Sequence, residues 1–407
     1  MDIRRAAAAG LPPKRARKPA SSNIIEPSSF RPLVPADRRL LLWTTPFSAN
    51  AHDEFEAAGL PLDLEARVFQ HLLDTQVDDT RSSYGAGLLR FTQFCDRLRI
   101  PERDRMPASR ALLSGFVAEA AGTCTGKCIR NWLNGLRAWH KLNGAVWNGN
   151  DTWISSLKIS ADKKGMRFKR PPRGPITLAH LRALRAVLDI SSPMGAAVWS
   201  VALAAYGGCR RLGELLLKTL SGFSTTHDTT RETRITFNAV NGRLTCGIKL
   251  VWTKTTTIVG GECILTQIIG VDSDLCPVQA FRNHLRVNHT PPPDTPLFAF
   301  RTPKGWRYLT KDAFITTSSA AYHAAGLDLV FSHSYRIGGS LALLSAGVAP
   351  EIIMKLGGWS SLCFLLYWRR LQEVIPMAIS RAWDERIREF AKTHGHPPDI
   401  SSLSLDD

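Results

Sequence analysis

From about residue 62 to 160 the apolar positions recur at helical spacing. Leu64, Val68, Leu72 and Leu73 form one stripe, and Tyr84, Leu88, Phe91, Phe94 and Cys95 form a second, with Asp79 or Thr80 placed to cap it. Pro107 and Ser109 open a third helix, carried by Leu112, Leu113, Phe116 and Val117. Thr125 caps a fourth through Ile129, Trp132, Leu133, Leu136 and Trp139, which stops near Asn143-Gly144. Little period-two alternation interrupts these stripes. The pattern predicts a small helical domain over residues 41–160, with Leu40, Leu41, Leu42 and Trp43 as an anchor onto it.

A second pattern begins at Thr177, the expected N-cap of Leu-Ala-His-Leu-Arg-Ala-Leu, and continues as an almost wholly apolar helix over about 194–206. Alternation then takes over at Arg234-Ile-Thr-Phe and again from Leu244 to Thr255, which predicts two antiparallel strands turning at Asn241-Gly242. Helices resume past Pro277 and at Thr310, and Met377–Ala391 carries an amphipathic stripe of Ile379, Trp383, Ile387 and Phe390. The expected fold is mainly α with a small antiparallel β-sheet, the second domain spanning 177–392.

Three segments lack either period. Residues 1–40 hold Pro12, Pro13, Pro19, Pro27, Pro32 and Pro35 among Ser and Ala, which predicts a disordered basic tail, and 393–407 predicts a short polar one. Residues 161–176 combine Lys163, Lys164, Arg167, Lys169, Arg170 and Arg173 with Pro171, Pro172 and Pro175. Proline denies such a stretch a helix and like charges extend it, so it reads as a basic strap between two lobes.

Charge turns this architecture toward a polyanion. The 407-residue chain carries a formal net charge of +17, and its pI is near 9.9. Such an excess points to nucleic acid first and to an acidic membrane surface second. No apolar run reaches the ~18 residues that span a bilayer. Arg81, Arg90, Lys127, Arg130, Arg137 and Lys141 on the helical domain, followed by the strap lysines and arginines, read as a surface that tracks phosphates of double-stranded DNA. Lys14-Arg15-Ala16-Arg17-Lys18 reads as a nuclear-import patch or a phosphate-touching arm. The eight cysteines include no Cys-x-x-Cys, and Cys124-x-x-x-Cys128 with His140 downstream lacks zinc spacing. No metal or other cofactor is expected. The absence of a signal-peptide pattern adds the expectation of a reducing, intracellular compartment.

The chemistry concentrates between His333 and Arg370. His333-x-x-Arg336 sets an imidazole and a guanidinium on one helical face, suited to the oxygens of a phosphate. A turn follows at Gly357-Gly358-Trp359, and then a lone tyrosine, Tyr367, a residue type able to attack phosphorus. Upstream, Gly207-Gly208-Cys209-Arg210-Arg211-Leu212-Gly213-Glu214-Leu215 is a tight turn leading into a helix.

These blocks closely resemble the active-site boxes of the tyrosine recombinases (the integrase family), in particular the eukaryotic branch carried by Crypton and DIRS-type mobile elements. There the second box reads H-S-x-R-I-G and then L-G-x-W-S-S-x-x-F-x-x-Y, as here from His333 to Tyr367. The first box carries Arg-x-x-Glu-Leu, and aligning on Glu214 and Leu215 makes Arg211 its phosphate-binding arginine, with Arg210 ranked second. Lys254, in Trp-Thr-Lys-Thr at the end of the second expected strand, matches the family's hairpin lysine. The resemblance implies a helical core-binding domain followed by an α+β catalytic domain. It implies catalytic roles for Arg211, Lys254, His333, Arg336, Trp359 and Tyr367, a 3′-phosphotyrosyl intermediate, no cofactor, a nuclear setting, and assembly on DNA as a tetramer of two dimers. Trp359 stands where most bacterial members have histidine, the spacing to Tyr367 is eight residues, and Gly358 stands where the eukaryotic branch often has arginine. A type IB topoisomerase-like enzyme shares this chemistry, and a domesticated DNA-binding protein without strand exchange is the alternative outside recombination.

Overall fold

The computed structural model describes residues 3–9, 11, 14–16, 24–49, 57–171, 173–328, 330–367, 379–380, 383–389 and 392–393. Two compact units divide the chain, Met1–Pro171 and Pro172–Asp407.

In the first unit, helices Leu62–Asp74, Asp78–Arg97, Arg110–Ala120 and Gly126–Leu142 stand where the four stripes are expected. Leu88, Phe91, Phe94, Leu113, Phe116, Val117, Ile129, Leu133, Leu136 and Trp139 are all buried in one core. Phe91 meets Phe116 edge-on at 5.4 Å, an arrangement that the ring quadrupoles favour. Glycine sets how closely two of these helices cross. A Cβ on Gly135 would stand 2.3 Å from the Tyr84 carbonyl oxygen, and one on Gly87 would stand 2.5 Å from that of Trp132. Ser109 and Thr125 cap as expected, accepting from the Leu112 and Cys128 amides at 3.1 and 3.2 Å.

Several local expectations shift. The Asp78–Arg97 helix starts behind Val77, whose side chain has no acceptor to cap it, so Asp79 and Thr80 lie within its first turn, and Asp78 pairs with Lys14 and Arg81. On the first helix the buried face is Glu65, Phe69 and Leu73, not Leu64, Val68 and Leu72. The face turns because Phe69 and Leu73 pack on Ala7, Ala8 and Leu41. The stretch expected as a disordered tail therefore has structure where it is described. Ile3–Ala9 is a helix, and buried Arg4 donates to the Leu41 carbonyl at 3.2 Å and to Asn143 Oδ1 at 2.5 Å. Leu40, Leu41 and Trp43 are buried, so the anchor is real. A further helix, Thr152–Lys164, capped by Asp151, runs into the expected strap and carries Lys163 and Lys164. Its interior has no proline, so the extended stretch begins later, past the short turn Met166–Phe168.

The second unit opens with Leu178–Val187, where Thr177 and His180 form a reciprocal capping box. Pro193–Gly207 is buried from Gly195 to Ala205 and forms the spine of the core. Against it lies a sheet of β1 (Ile235–Val240), β2 (Arg243–Leu250) and β3 (Gly261–Thr266), in the order β1-β2-β3 and antiparallel throughout. β1 and β2 turn at Asn241 and Gly242, both at positive φ (49° and 71°), which matches the Asn-Gly signal. β3 is an addition to the expected pair. Helices Pro277–Val287, Lys311–Ala324, Ser334–Ser345 and Pro350–Gly357 complete the unit.

The helix crossing at Gly135 yields a test. Gly135→Val drives a side chain into the Tyr84 backbone and should cost about 1–3 kcal/mol in urea unfolding of the full chain. Gly213→Ala, whose added methyl meets nothing within 4 Å, should leave the midpoint in place.

Candidate active site

The Pro193–Gly207 helix ends on Gly208, and the chain then passes through Cys209 at a left-handed φ of 51°. A non-glycine residue held there is strained, and such strain concentrates where backbone atoms are needed in one place. The Cys209 carbonyl accepts from Arg336 Nη1 at 3.0 Å. The next two residues diverge. Arg210 is 3% exposed and donates to the Glu262 carbonyl on β3. Arg211 caps the turn Leu212–Leu215, with Nη1 on Glu214 Oε1 at 2.7 Å and its amide on Oε2 at 3.2 Å. Glu214 is buried, so this is a shielded carboxylate fixing a half-open guanidinium, not an exposed surface pair. Arg211 thus keeps access to solvent, whereas Arg210 bridges elements within the unit.

Arg336 lies in the first turn of the Ser334–Ser345 helix and is 1% exposed. Its Nη1 also donates to the Gly357 carbonyl at 2.7 Å, and its guanidinium carbon sits 3.5 Å from the centroid of the Trp359 ring. Trp359 packs in turn on Phe364, with centroids 4.8 Å apart. Gly358, at φ 68°, closes the Pro350–Gly357 helix in the left-handed region that glycine favours and so brings Trp359 back under Arg336.

His333 precedes the same helix and is partly buried. Burial, and then the charges of Arg173, Arg211, Arg336 and Lys254, push its imidazole below the ordinary histidine value. Those four cations therefore share one neighbourhood with His333. Lys254 is exposed in the turn Thr253–Thr257, beyond the end of β2 at Leu250, and not at a strand end as expected. The chain leaves the sheet there through Thr257 and Gly260, both at positive φ. Thr255 Oγ1 donates to the Gly358 carbonyl at 3.3 Å and joins this turn to the Trp359 segment.

Tyr367 is the last residue of the 3₁₀ helix Leu362–Tyr367, and its side chain lies outside the described residues, as do Phe390 and residues 368–378. Ile379, Trp383 and Ile387 of the C-terminal stripe are exposed.

On the first unit the expected DNA-contact set separates. Arg81 is a correction: it is 5% exposed and donates to the carbonyls of Leu73 and Gln76, satisfying backbone acceptors between two helices. Arg130 pairs with Asp162, and Arg90 lies 5.9 Å over the Trp132 ring. Lys127, Arg137, Lys163, Lys164, Arg167, Lys169 and Arg170 are exposed. Lys158, not singled out from the sequence, lies close enough to Arg137 and Arg130 that burial and their charges lower its pKa. In the sequence Arg173 stands out only as part of the strap. Its place next to the start of the second domain was the available signal. His140 has both ring nitrogens on backbone, Ala108 and Leu136, so it does not serve as a ligand beside Cys124 and Cys128.

No family model matches the chain, and no curated protein matches it. Solved structures do. The XerH site-specific recombinase bound to palindromic difH substrate, in a post-cleavage complex, aligns over 89% of this chain and 100% of its own at 14% identity, with a TM-score of 0.51. The Tn1549 transposon integrase in complex with a circular intermediate DNA aligns over 84% and 99% at 13% identity, TM-score 0.43. A lambda integrase dimer bound to a COC′ core site aligns over 74% and 92% at 13% identity, TM-score 0.43. Mainly helical, with small antiparallel sheets and two units, the chain has the fold of the tyrosine recombinases.

Proposed function

We propose that this protein is a site-specific DNA recombinase that cuts and rejoins double-stranded DNA through a 3′-phosphotyrosyl intermediate. The observation that carries the reading is that Arg336 is bonded to the Cys209 carbonyl, two residues before Arg211, and to the Gly357 carbonyl, next to the Gly358 carbonyl that holds the Lys254 turn, on a fold shared with a DNA-bound recombinase. A phosphodiester gains charge on its non-bridging oxygens as it becomes pentacoordinate, and fixed cations favour that state over the ground state. Arg211 and Arg336 hold those oxygens, and the neutral His333 imidazole donates a further hydrogen bond. Trp359 aligns Arg336 through its ring face, and its indole N–H is the further donor of the set. The Tyr367 oxygen forms a bond to phosphorus while the bond to the 5′ oxygen breaks. Lys254 gives that oxygen its proton, and the phenolic proton passes to solvent. The reverse attack by a 5′ hydroxyl restores the diester and frees the tyrosine, so no energy source is consumed.

In this reading residues 41–160 are the core-binding domain and 177–392 the catalytic domain, and the exposed cations from Lys127 to Arg170 follow the duplex backbone. Copies assemble on DNA as a tetramer of two dimers, with the exposed Ile379, Trp383 and Ile387 covered by a neighbouring protomer. The host setting is the nucleus, and the lineage is that of Crypton or DIRS-type mobile elements, as the His333–Tyr367 box suggests.

Three outcomes follow. On nicked suicide duplexes selected for binding from a random pool, the wild type should trap a covalent adduct. Tyr367→Phe should bind within about twofold of wild type and trap none; adducts formed by Tyr367→Phe would remove the tyrosine mechanism. Arg336→Ala should lower the cleavage rate by about 10²–10³, as loss of one transition-state donor does, measured as single-turnover adduct formation. His333 should titrate below 6.5 in the free protein by histidine ring NMR, because each nearby cation opposes its protonation. Duplex DNA should raise that value, since phosphate charge offsets the cations. A free-state value at or above 6.5 would separate His333 from the cluster.

A further inference from the structure

Ile176 lies against the start of the Ser334–Ser345 helix. The Ile176 amide donates to the Ser334 carbonyl at 2.9 Å. Gly338 lets the two backbones meet, since a Cβ there would stand 2.1 Å from the Ile176 carbonyl oxygen. Ile176 is 1% exposed and belongs to the core of the second unit, so this attachment is firm. From it the chain leads back through Pro175 and Gly174 to Arg173.

Arg173 is exposed, and its guanidinium carbon lies 5.4 Å from the ring centroid of Phe331. Phe331 is itself half exposed and stands two residues before His333. A guanidinium resting on an aromatic face is oriented, yet its N–H groups stay open at the edges. Among the described residues Arg173 makes no hydrogen bond or ion pair to protein, and neither does Lys254. An unpaired arginine fixed beside several other cations is electrostatically costly in the free protein. A polyanion removes that cost.

We propose that Arg173 is a further phosphate-contacting residue of this site, holding the DNA strand next to the phosphate gripped by Arg211 and Arg336. The inference rests on the reading of the site as one for DNA. It makes the start of the catalytic unit part of the substrate-binding surface, so that the strap ends on the reacting strand. The effect of Arg173 on His333 agrees with this position.

The test compares Arg173→Met, which keeps an apolar stem on Phe331 without charge, with Arg173→Lys, which keeps the charge. Binding of a labelled random-sequence duplex to the full chain is followed across salt concentrations. Loss of one phosphate contact should flatten the slope of log K against log salt by about 0.9 in Arg173→Met, with wild-type melting. Arg173→Lys should keep the wild-type slope. In the DNA-free protein, the His333 ring pKa should rise in Arg173→Met, whose lost charge had acted on that ring together with Arg211, Arg336 and Lys254. An unchanged slope, or a His333 pKa that does not move, overturns the proposal. Wild-type protein that binds duplex without trapping adducts would instead overturn the recombinase reading, and the slope comparison would still decide the role of Arg173.

Discussion

One buried guanidinium holds the loops of the second unit together. Arg336 donates to the carbonyl of Cys209, which follows the spine helix, and to that of Gly357, which ends the helix before Trp359. Its flat face rests on the Trp359 ring. Two segments far apart in the chain are thus tied to the Arg336 helix by a single side chain whose charge is expensive to bury without such partners. Each segment is shaped to meet it: Cys209 accepts a left-handed backbone, Gly358 supplies a left-handed cap, and Gly338 and Gly339 let the Arg336 helix approach Ile176 and Tyr206. Replacing Arg336 would therefore remove the tie between these loops as well as the phosphate donor proposed here.

The remaining cations are arranged around that centre by other means. Arg211 is fixed by buried Glu214, which neutralises part of its charge and leaves the guanidinium edge accessible. Lys254 rides on an exposed turn that Thr255 fastens to the Gly358 carbonyl. The contrast suits their proposed roles, since a phosphate clamp must be rigid whereas a proton donor must follow the leaving oxygen. His333, pushed toward neutrality by burial and by these neighbours, keeps a proton to donate without adding another charge.

Much of the fold was legible in the sequence because its signals are local. The apolar period marked four helices of the first unit, and Ser109, Thr125, Thr177 and Thr310 cap where side-chain chemistry requires. Asn241-Gly242 announced its hairpin. Signals failed where burial depends on distant partners. Arg4 and Arg81 look like surface charges, yet both turn inward to satisfy carbonyls that only the folded chain brings near. The helix Thr152–Lys164 has weak apolar phasing, and β3 follows a Thr- and Gly-rich turn that hides its alternation. The residues of the site were found through the resemblance of three short blocks. Spacing alone does not bring Arg211, Lys254 and Arg336 to one place, and Arg173 matches no block at all.

The central claim is that these cations share one phosphate-sized site. Crystals of the DNA-free protein soaked in tungstate, a tetrahedral anion located by its anomalous scattering, test it without knowledge of the target sequence. The account predicts a tungstate within hydrogen-bonding distance of Arg211, His333 and Arg336. Crystals that bind tungstate elsewhere and leave that place empty, with its side chains free of lattice contacts, would contradict it.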